Sequence, residues 1–181
     1  MKQKTKGSYF TPWLKRLIAG SVFSPLGVKN PDARMLMNAG VDTPFHTVGL
    51  DSLDVFEVGY RLDEELNVGI PDDELTRWIN IAESEEYLNT ALAKKGETMS
   101  VAKYVLFLDI GKALGCPPTP GHPLNFPLRR PLRALEKDPA VRAAAVAKLE
   151  EDLELPKGKL GRIYTMGKLV KEVINSMEYG V

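Results

Sequence analysis

Cysteine is nearly absent from this 181-residue chain, in which Cys116 is the single example. An internal disulfide is therefore impossible, which favours an intracellular, cytoplasmic protein. Long apolar runs are also missing, so the sequence predicts no transmembrane segment. The interrupted apolar stretch at residues 17–23 lacks a small-residue cleavage site, and we interpret it as part of an amphipathic helix rather than as a signal peptide.

Histidine, a common side chain in metal and acid–base sites, occurs only twice, as His46 and His122. The two lie far apart and lack cysteine or carboxylate partners at metal-binding spacing, so we predict no metal site. Phosphate-binding loops and glycine-rich dinucleotide fingerprints are missing as well. The acidic run at residues 72–74 is explained better by a helix start than by a divalent ion.

Charge is balanced overall, with 24 basic and 24 acidic residues, but it is unevenly distributed. Residues 1–100 contain 11 basic and 15 acidic residues, whereas residues 101–181 contain 13 and 9. Between positions 41 and 90, 13 acidic residues are accompanied only by Arg61 and Arg77. This one-sided segment predicts partners with basic docking patches. The basic cluster at residues 129–133 indicates an acidic partner, the acidic half of the chain or an anionic membrane, and nucleic acid is the least favoured.

Apolar residues recur at helical spacing along most of the chain, which predicts an all-α fold. The first helix is expected to begin after Thr11-Pro12, with threonine as the N-cap and proline at the first helical position. Further helices are predicted over residues 52–67, 72–79 and 83–95, with a short one at 32–38. After a linker at 95–99, a proline-rich loop interrupts a second set of helices at 100–115, 140–155, 157–163 and 165–177.

The most informative segment is Gly49-Leu50-Asp51-Ser52-Leu53, where a turn-rich connection gives way to an amphipathic helix. A serine at this place is exposed, and its hydroxyl can either cap the first helical turn or carry a covalent group. A phosphodiester on it would lie at the positive end of the helix dipole. The acidic helix that follows and the Ile-Pro-Asp turn at residues 70–72 favour the covalent role.

This run resembles the acyl carrier protein family, in which the serine of an Asp-Ser-Leu motif carries 4'-phosphopantetheine. The resemblance implies that a phosphopantetheinyl transferase attaches this arm to Ser52. Acyl groups would then be held on the arm as thioesters for fatty acid, polyketide or related lipid biosynthesis, and the chain itself would perform no bond chemistry. The implied docking face for the transferase and for acyl-processing enzymes with basic patches consists of Asp51, Leu53, Asp54, Glu57, Tyr60, Asp63 and Glu64.

Two positions depart from the pattern of the family. Gly59 replaces a bulkier residue, which predicts either a larger cavity or a weaker helix. Glu85 replaces an apolar residue of the last helix, which predicts a shifted register or packing against the second domain. The residues that would line a space for the acyl chain, and that are equally expected as ordinary core, are Phe45, Leu53, Val58, Leu62, Trp78 and Ile81.

The second half of the chain repeats the pattern of the first. Residues 61–66 match residues 148–153, which places Asp138-Pro139-Ala140 opposite Asp51-Ser52-Leu53. We therefore predict two tandem four-helix, acyl-carrier-like bundles. The carrier domain would span residues 1–97, and residues 98–181 would form a carrier-like domain that lacks a modifiable serine, because Pro139 has no hydroxyl.

Three alternatives stay open at this point. An unmodified helical adaptor would keep the carrier fold for protein contacts alone, and whether Ser52 accepts the prosthetic group separates it from a carrier. An aminoacyl or peptidyl carrier shares the chemistry and differs in cargo. A hydrolase that pairs Ser52 with His46 has the least support, because the strand–turn–helix context of such a nucleophile is missing.

Overall fold

The computed structural model describes residues 8–23, 31–97, 99–113, 138–152, 155–160 and 165–176. Within these ranges the regular structure is helical and no strand is found, which confirms the all-α prediction. A 3-10 helix spans Phe45–Val48. The α-helices are α1 (Phe10–Ser21), α2 (Pro31–Asn38), α3 (Ser52–Leu66), α4 (Asp72–Leu75), α5 (Ile81–Lys94), α6 (Val101–Ala113), α7 (Pro139–Asp152) and α8 (Met166–Ser176).

The chain divides into two compact units. The N-terminal unit, Tyr9–Val101, contains α1 to α5, and the C-terminal unit contains α7, α8 and all of α6 except its first residue. The predicted domain limits of 1–97 and 98–181, and the arrangement as two four-helix bundles, stay predictions. His122, Cys116, the proline-rich loop and the basic cluster at 129–133 lie outside the described residues.

The N-terminal unit is built around α1, which packs against α2, α3 and α5, while α3 also packs against α4. The apolar residues of these helices recur every three or four positions, so each helix turns one stripe toward the others. The side chains that are fully buried there include Leu14, Ile18, Leu62, Leu66, Leu75, Ile81, Leu88 and Leu92.

Helix α1 begins earlier than predicted. Tyr9 occupies the N-cap position and Phe10 the first helical position, and both side chains are buried. Thr11 therefore lies inside the first turn, and its hydroxyl is buried with no hydrogen-bond partner among the described residues. Pro12 is still tolerated, because the first-turn amides of a helix have no partner within it. The burial of two aromatic rings outweighs the Thr-Pro capping signal.

A buried lysine joins α1 to α2. Lys15 is 6% exposed, and its Nζ donates to the carbonyl of Met37, at 3.1 Å, and to that of Ala39. These carbonyls lie at the C-terminal end of α2, where unpaired carbonyls and the helix dipole favour a cation. Burial lowers the pKa of Lys15 below its ordinary value. The sequence offered no signal for this contact, because it joins residues more than twenty positions apart.

The predicted linker at 95–99 starts directly after α5, and its first residues close that helix. Gly96 has a φ of +84°, and the amide of Glu97 donates to the carbonyl of Leu92 at 3.1 Å, which closes the helix with a left-handed turn. Asn89 of α5 accepts a hydrogen bond from the amide of Val101 at 2.8 Å. This bond fixes the first residue of α6 to the N-terminal unit.

In the C-terminal unit, the prediction of a helix over residues 157–163 is wrong where the structure describes it. Residues 157–160 form a turn, with Gly158 at a φ of +80°. The side chain of Glu150 holds this turn by accepting the amides of Gly158 and Leu160. The buried apolar residues of this unit include Leu149, Leu160, Leu169 and Val173.

Candidate functional site

Gly49 and Leu50 fix the position of the chain just before α3. Gly49 ends the 3-10 helix with a φ of +88°, a conformation that glycine adopts without steric cost. The next amide, that of Leu50, donates to the carbonyl of Phe45 at 3.1 Å, and the Leu50 side chain is buried. The amide of Phe45 in turn donates to the carbonyl of Ile79 at 2.7 Å. The chain therefore enters α3 from a point that is fixed to the core.

Asp51, and not Ser52, caps α3. Asp51 Oδ1 accepts the amides of Leu53, at 2.8 Å, and Asp54, at 3.0 Å. Asp54 Oδ2 accepts the amide of Asp51 at 2.8 Å, which completes a reciprocal capping box. The interpretation of Ser52 as a simple helix cap is therefore wrong, because its neighbour already serves the first-turn amides.

Ser52 is the first residue of α3 and is exposed. Its hydroxyl makes no hydrogen bond to any described residue, including His46, which is also exposed. The Ser–His pairing that a hydrolase would need is therefore not formed. A hydroxyl that has no capping role and faces solvent at a rigid helix start is accessible to a modifying enzyme.

The capping box changes what is expected of a phosphate on Ser52. The Leu53 and Asp54 amides, which would otherwise face an anion, are already bound by Asp51. The carboxylates of Asp51 and Asp54 also offset the positive end of the helix dipole. We therefore no longer expect these amides to hold the phosphodiester, which would extend from Ser52 toward solvent.

Four of the predicted docking residues form one exposed stripe along α3. Leu53 is 75% exposed and Tyr60 is 52% exposed, and Glu57 and Glu64 are exposed as well. Their spacing of three or four positions places them on a single helix face. Phe56 lies beside Tyr60, with ring centroids 6.3 Å apart. The stripe therefore combines apolar and acidic side chains and starts next to Ser52.

The other predicted docking residues have structural contacts. Asp51 and Asp54 form the capping box described above. Asp63 Oδ1 accepts the amides of Gly69, at 2.6 Å, and Ile70, at 3.3 Å, and so holds the loop that follows α3. The sequence pattern did not separate these two groups, because acidic residues at helix ends and on an exposed face look alike in one dimension.

Tyr60 links α3 to α4. Its hydroxyl donates to Asp72 Oδ1 at 3.2 Å, and this hydrogen bond, with the negative charge of Asp72, raises the pKa of Tyr60 above its ordinary value. The neighbouring carboxylates of α4 pair with Arg77, from Asp73 at 3.8 Å and from Glu74 at 3.3 Å.

Among the described residues, no group of three or more potential ligands could hold a metal ion.

The core beside the start of α3 contains a cavity of about 10 Å³. Gly59 does not enlarge it, because a Cβ added at Gly59 would overlap the side chain of Leu75, which fills that space. Ser84 of α5 faces this core and is fully buried, whereas Glu85 next to it is half-buried. Leu53, proposed from sequence as a lining residue, points to solvent instead. The cavity is lined by Leu14, Ile18, Phe45, Leu50, Val55, Val58, Leu62, Trp78 and Ser84.

The construction at the start of α3 recurs at the start of α7. Asp138 Oδ1 accepts the amide of Ala140 at 2.7 Å, as Asp51 accepts that of Leu53. The backbone carbonyl of Asp138 accepts the amide of Arg142 at 3.1 Å, which matches the bond from Val55 to Asp51. Pro139 stands between them as the first residue of α7, in the place that Ser52 has in α3.

The ends of α3 and α7 are also alike. Asp63 lies twelve residues after Asp51, and Glu150 lies twelve residues after Asp138. The backbone carbonyls of both acids accept an amide at 2.7 Å from a residue beyond the helix end, Asn67 after α3 and Leu155 after α7. Glu150 is only 4% exposed, and its two oxygens accept the amides that follow α7 at 2.7 and 2.6 Å, just as Asp63 binds the loop after α3.

Residues 26–88 match the family model described as "Phosphopantetheine attachment site". This match is consistent with a carrier protein domain in the N-terminal unit, and a domain of this family is the site at which 4'-phosphopantetheine is attached covalently. The match surrounds α3 and contains Ser52. No curated protein and no solved structure matches the chain.

The match covers part of the N-terminal unit, and α6, α7 and α8 lie outside the matched residues. Domains of this type are not catalytic themselves; they interact with phosphopantetheinyl transferases and acyl-processing enzymes. In the part of the chain that the structure describes, no helix has the length and apolarity to cross a membrane.

Proposed function

We propose that this protein is an acyl carrier that holds its cargo as a thioester on a 4'-phosphopantetheine arm attached to Ser52. In the loading step, Ser52 Oγ would attack the β-phosphorus of coenzyme A and lose its proton to a base of the transferase. The phosphoanhydride bond would break, adenosine 3',5'-bisphosphate would leave, and a phosphodiester would join the arm to serine. The arm's thiol would then carry acyl groups of fatty acid, polyketide or related lipid biosynthesis in the cytoplasm.

The observation that carries this proposal is the free hydroxyl of Ser52. Asp51 and Asp54 complete the start of α3 without it, and its exposed place in the matched region is the one that a modifying enzyme must reach. A serine retained there for stability would be expected to act as the cap.

We further propose that partner enzymes contact the stripe formed by Leu53, Glu57, Tyr60 and Glu64. Leu53 and Tyr60 supply apolar area, and the two glutamates attract basic patches and set the rate of encounter. Glu64 pairs with Arg61 at 3.3 Å, but both side chains are more than half exposed, so a partner can replace this bond at little cost. Asp51, Asp54 and Asp63 would contribute charge to the same surface while holding the ends of α3.

For the C-terminal unit we propose a carrier-like bundle that cannot be loaded. Support comes from the matched helix caps at Asp51 and Asp138 and from the matched loop contacts of Asp63 and Glu150. Pro139 suits the first position of a helix, where no amide hydrogen bond is lost. It has no hydroxyl, so this unit would serve contact rather than transport.

The test of the carrier proposal is the intact mass of the protein after incubation with coenzyme A and a broad-specificity phosphopantetheinyl transferase. One phosphopantetheine should be added to the wild type and none to Ser52→Ala. Ser100→Ala is the matched control, because Ser100 is another exposed serine at a helix start, one residue before α6, and this variant should be loaded as the wild type is. Failure to load the folded wild type with several transferases would favour an unmodified adaptor.

A further inference from the structure

Two buried polar atoms of the N-terminal unit, the Thr11 hydroxyl and the Trp78 indole N–H, have no hydrogen-bond partner among the described residues, and of these two residues only Trp78 lines the cavity beside α3. Trp78 is 5% exposed, and its indole Nε1–H is buried without a hydrogen-bond partner among the described residues. Buried polar atoms in folded proteins nearly always have a partner. The indole ring packs against Tyr87 with centroids 5.8 Å apart, but this contact leaves the N–H unused. A phenylalanine would supply a similar apolar contact without a buried N–H.

A second polar residue belongs to the same cavity wall. Ser84 is fully buried, and its hydroxyl donates to the carbonyl of Ile81 at 2.8 Å. No described group donates to Ser84 Oγ, so its lone pairs remain able to accept a hydrogen bond. Two of the residues that line the cavity, Trp78 and Ser84, therefore carry one unused donor and one unused acceptor, which lie behind its carbon-lined surface.

The cavity lies close to the attachment position along the chain. Leu50 and Val55, which line it, are two and three residues from Ser52. At about 10 Å³ the cavity has room for about one water molecule, and its free space is bounded by carbon atoms. A carried chain must therefore displace core side chains as it enters, and this widening is what would bring a guest to the Trp78 N–H.

We propose that the cargo of this carrier is an oxygenated acyl chain, bearing a carbonyl or hydroxyl group, and that Trp78 and Ser84 select it over a saturated chain. A carbonyl oxygen would accept the hydrogen bond of the Trp78 N–H, and a hydroxyl could in addition donate to Ser84 Oγ. A saturated chain would fill the same space and leave both groups unsatisfied. Condensation of two acyl thioesters joins their chains by a carbon–carbon bond, releases one thiol and leaves a carbonyl oxygen within the new chain, so the carrier would stand at or after a condensation step. This inference rests on the proposed attachment at Ser52.

The test uses the full-length protein loaded with octanoyl, 3-oxooctanoyl or 5-oxooctanoyl phosphopantetheine. The two indole N–H signals, from Trp13 and Trp78, are followed by nitrogen-15 NMR and assigned with Trp78→Phe. We expect at least one oxo chain to move the Trp78 signal downfield relative to octanoyl, while the Trp13 signal stays in place. Identical Trp78 signals with all three chains would overturn the proposal, and this is also the outcome if a resident water satisfies the N–H.

A second measurement does not depend on NMR shifts. The protection of each thioester against hydroxylamine is compared in the wild type, in Trp78→Phe and in the control Trp13→Phe. The ratio that matters is the protection of an oxoacyl thioester divided by that of the octanoyl thioester. A hydrogen bond of ordinary strength should change this ratio by about fivefold. We expect Trp78→Phe to lose this factor and Trp13→Phe to keep it. An unchanged ratio in Trp78→Phe would overturn the role of Trp78.

The two proposals fail in different ways. If intact mass shows that Ser52 takes up no acyl-phosphopantetheine, the carrier proposal fails, and with it the cargo. If every chain is loaded but neither the indole signal nor the protection ratio depends on the oxygen, the carrier proposal stands and the selection of oxygenated chains is wrong.

Discussion

Replacing Gly59 by alanine tests the packing between α3 and α4. Contact with Leu75 should turn the effect of this substitution on the free energy of unfolding from stabilising to destabilising. Alanine is favoured over glycine inside a helix by about 1 kcal/mol. At Gly59, however, the new methyl group would overlap Leu75, which is only 1% exposed and cannot swing into solvent. Overpacking of this kind costs about 1–3 kcal/mol, so we expect Gly59→Ala to lower the free energy of unfolding by roughly 1 kcal/mol net.

The background variant Leu75→Ala removes the obstacle. It should cost about 2–5 kcal/mol alone, because it leaves a hole in the core. Within that background, Gly59→Ala should become stabilising by up to about 1 kcal/mol, since only the helix propensity remains. The resulting coupling between the two positions would be about 1–3 kcal/mol, the cost of the overlap that Leu75→Ala removes.

Gly20 provides the matched control. It is a helical glycine of α1, and nothing lies within 4 Å of a Cβ placed there, so Gly20→Ala should not be destabilising. Unfolding in urea can be followed by tryptophan fluorescence, because both tryptophans, Trp13 and Trp78, belong to the N-terminal unit. Stabilisation of the wild type by Gly59→Ala, equal to that in the Leu75→Ala background, would refute the contact between Gly59 and Leu75.

Three further predictions address the caps and the surface. Asp51→Ala should lower the stability of the N-terminal unit by about 0.5–2 kcal/mol in urea unfolding, since the first-turn amides lose their acceptor; an unchanged midpoint would contradict its role as cap. Asp63→Ala and Glu150→Ala should each cost about 1–3 kcal/mol and expose the amides after α3 and α7 to faster hydrogen exchange, and unaltered exchange would count against the matched loop contacts. Asp72→Ala should lower the pKa of Tyr60 toward that of free tyrosine in an NMR titration, because both the acceptor and the negative charge are removed. Since the folded pKa is the raised one, the contribution of this pair to stability is present below the ordinary tyrosine pKa and is lost as pH rises through the folded value.

The helix pattern was the part of the fold that the sequence predicted well. The expected helix at 52–67 is observed as Ser52–Leu66, because a strong amphipathic stripe and clear end signals act together. Helix α1 shows the limit of local signals. Its Thr-Pro start was overruled by the burial of Tyr9 and Phe10, which depends on what surrounds them in the folded unit. The turn at 157–160 was missed for a similar reason, since the carboxylate of Glu150 that holds it lies outside the turn.

At the candidate site, the sequence indicated Ser52 as the attachment residue that we propose, but not which neighbouring side chains bind backbone amides and which face solvent. The residue types predicted an acidic face, yet Asp63 binds loop amides while Glu57 is exposed to solvent. Leu75 of α4 fills the space beside Gly59 of α3, and periodicity within one helix cannot reveal a contact between two helices. The N–H of Trp78 has no hydrogen-bond partner among the described residues, and a one-dimensional pattern cannot show this either.

The most direct test of the central claim is to locate the arm on the protein by tandem mass spectrometry. Cleavage after Arg34 and Arg61 yields a peptide of residues 35–61 in which Ser52 is the only serine. After loading with coenzyme A and transferase, the account predicts a phosphopantetheine on this peptide, with fragment ions that place it on Ser52. An arm located on any other residue, or an unmodified peptide from a protein that has gained the mass, would contradict the account.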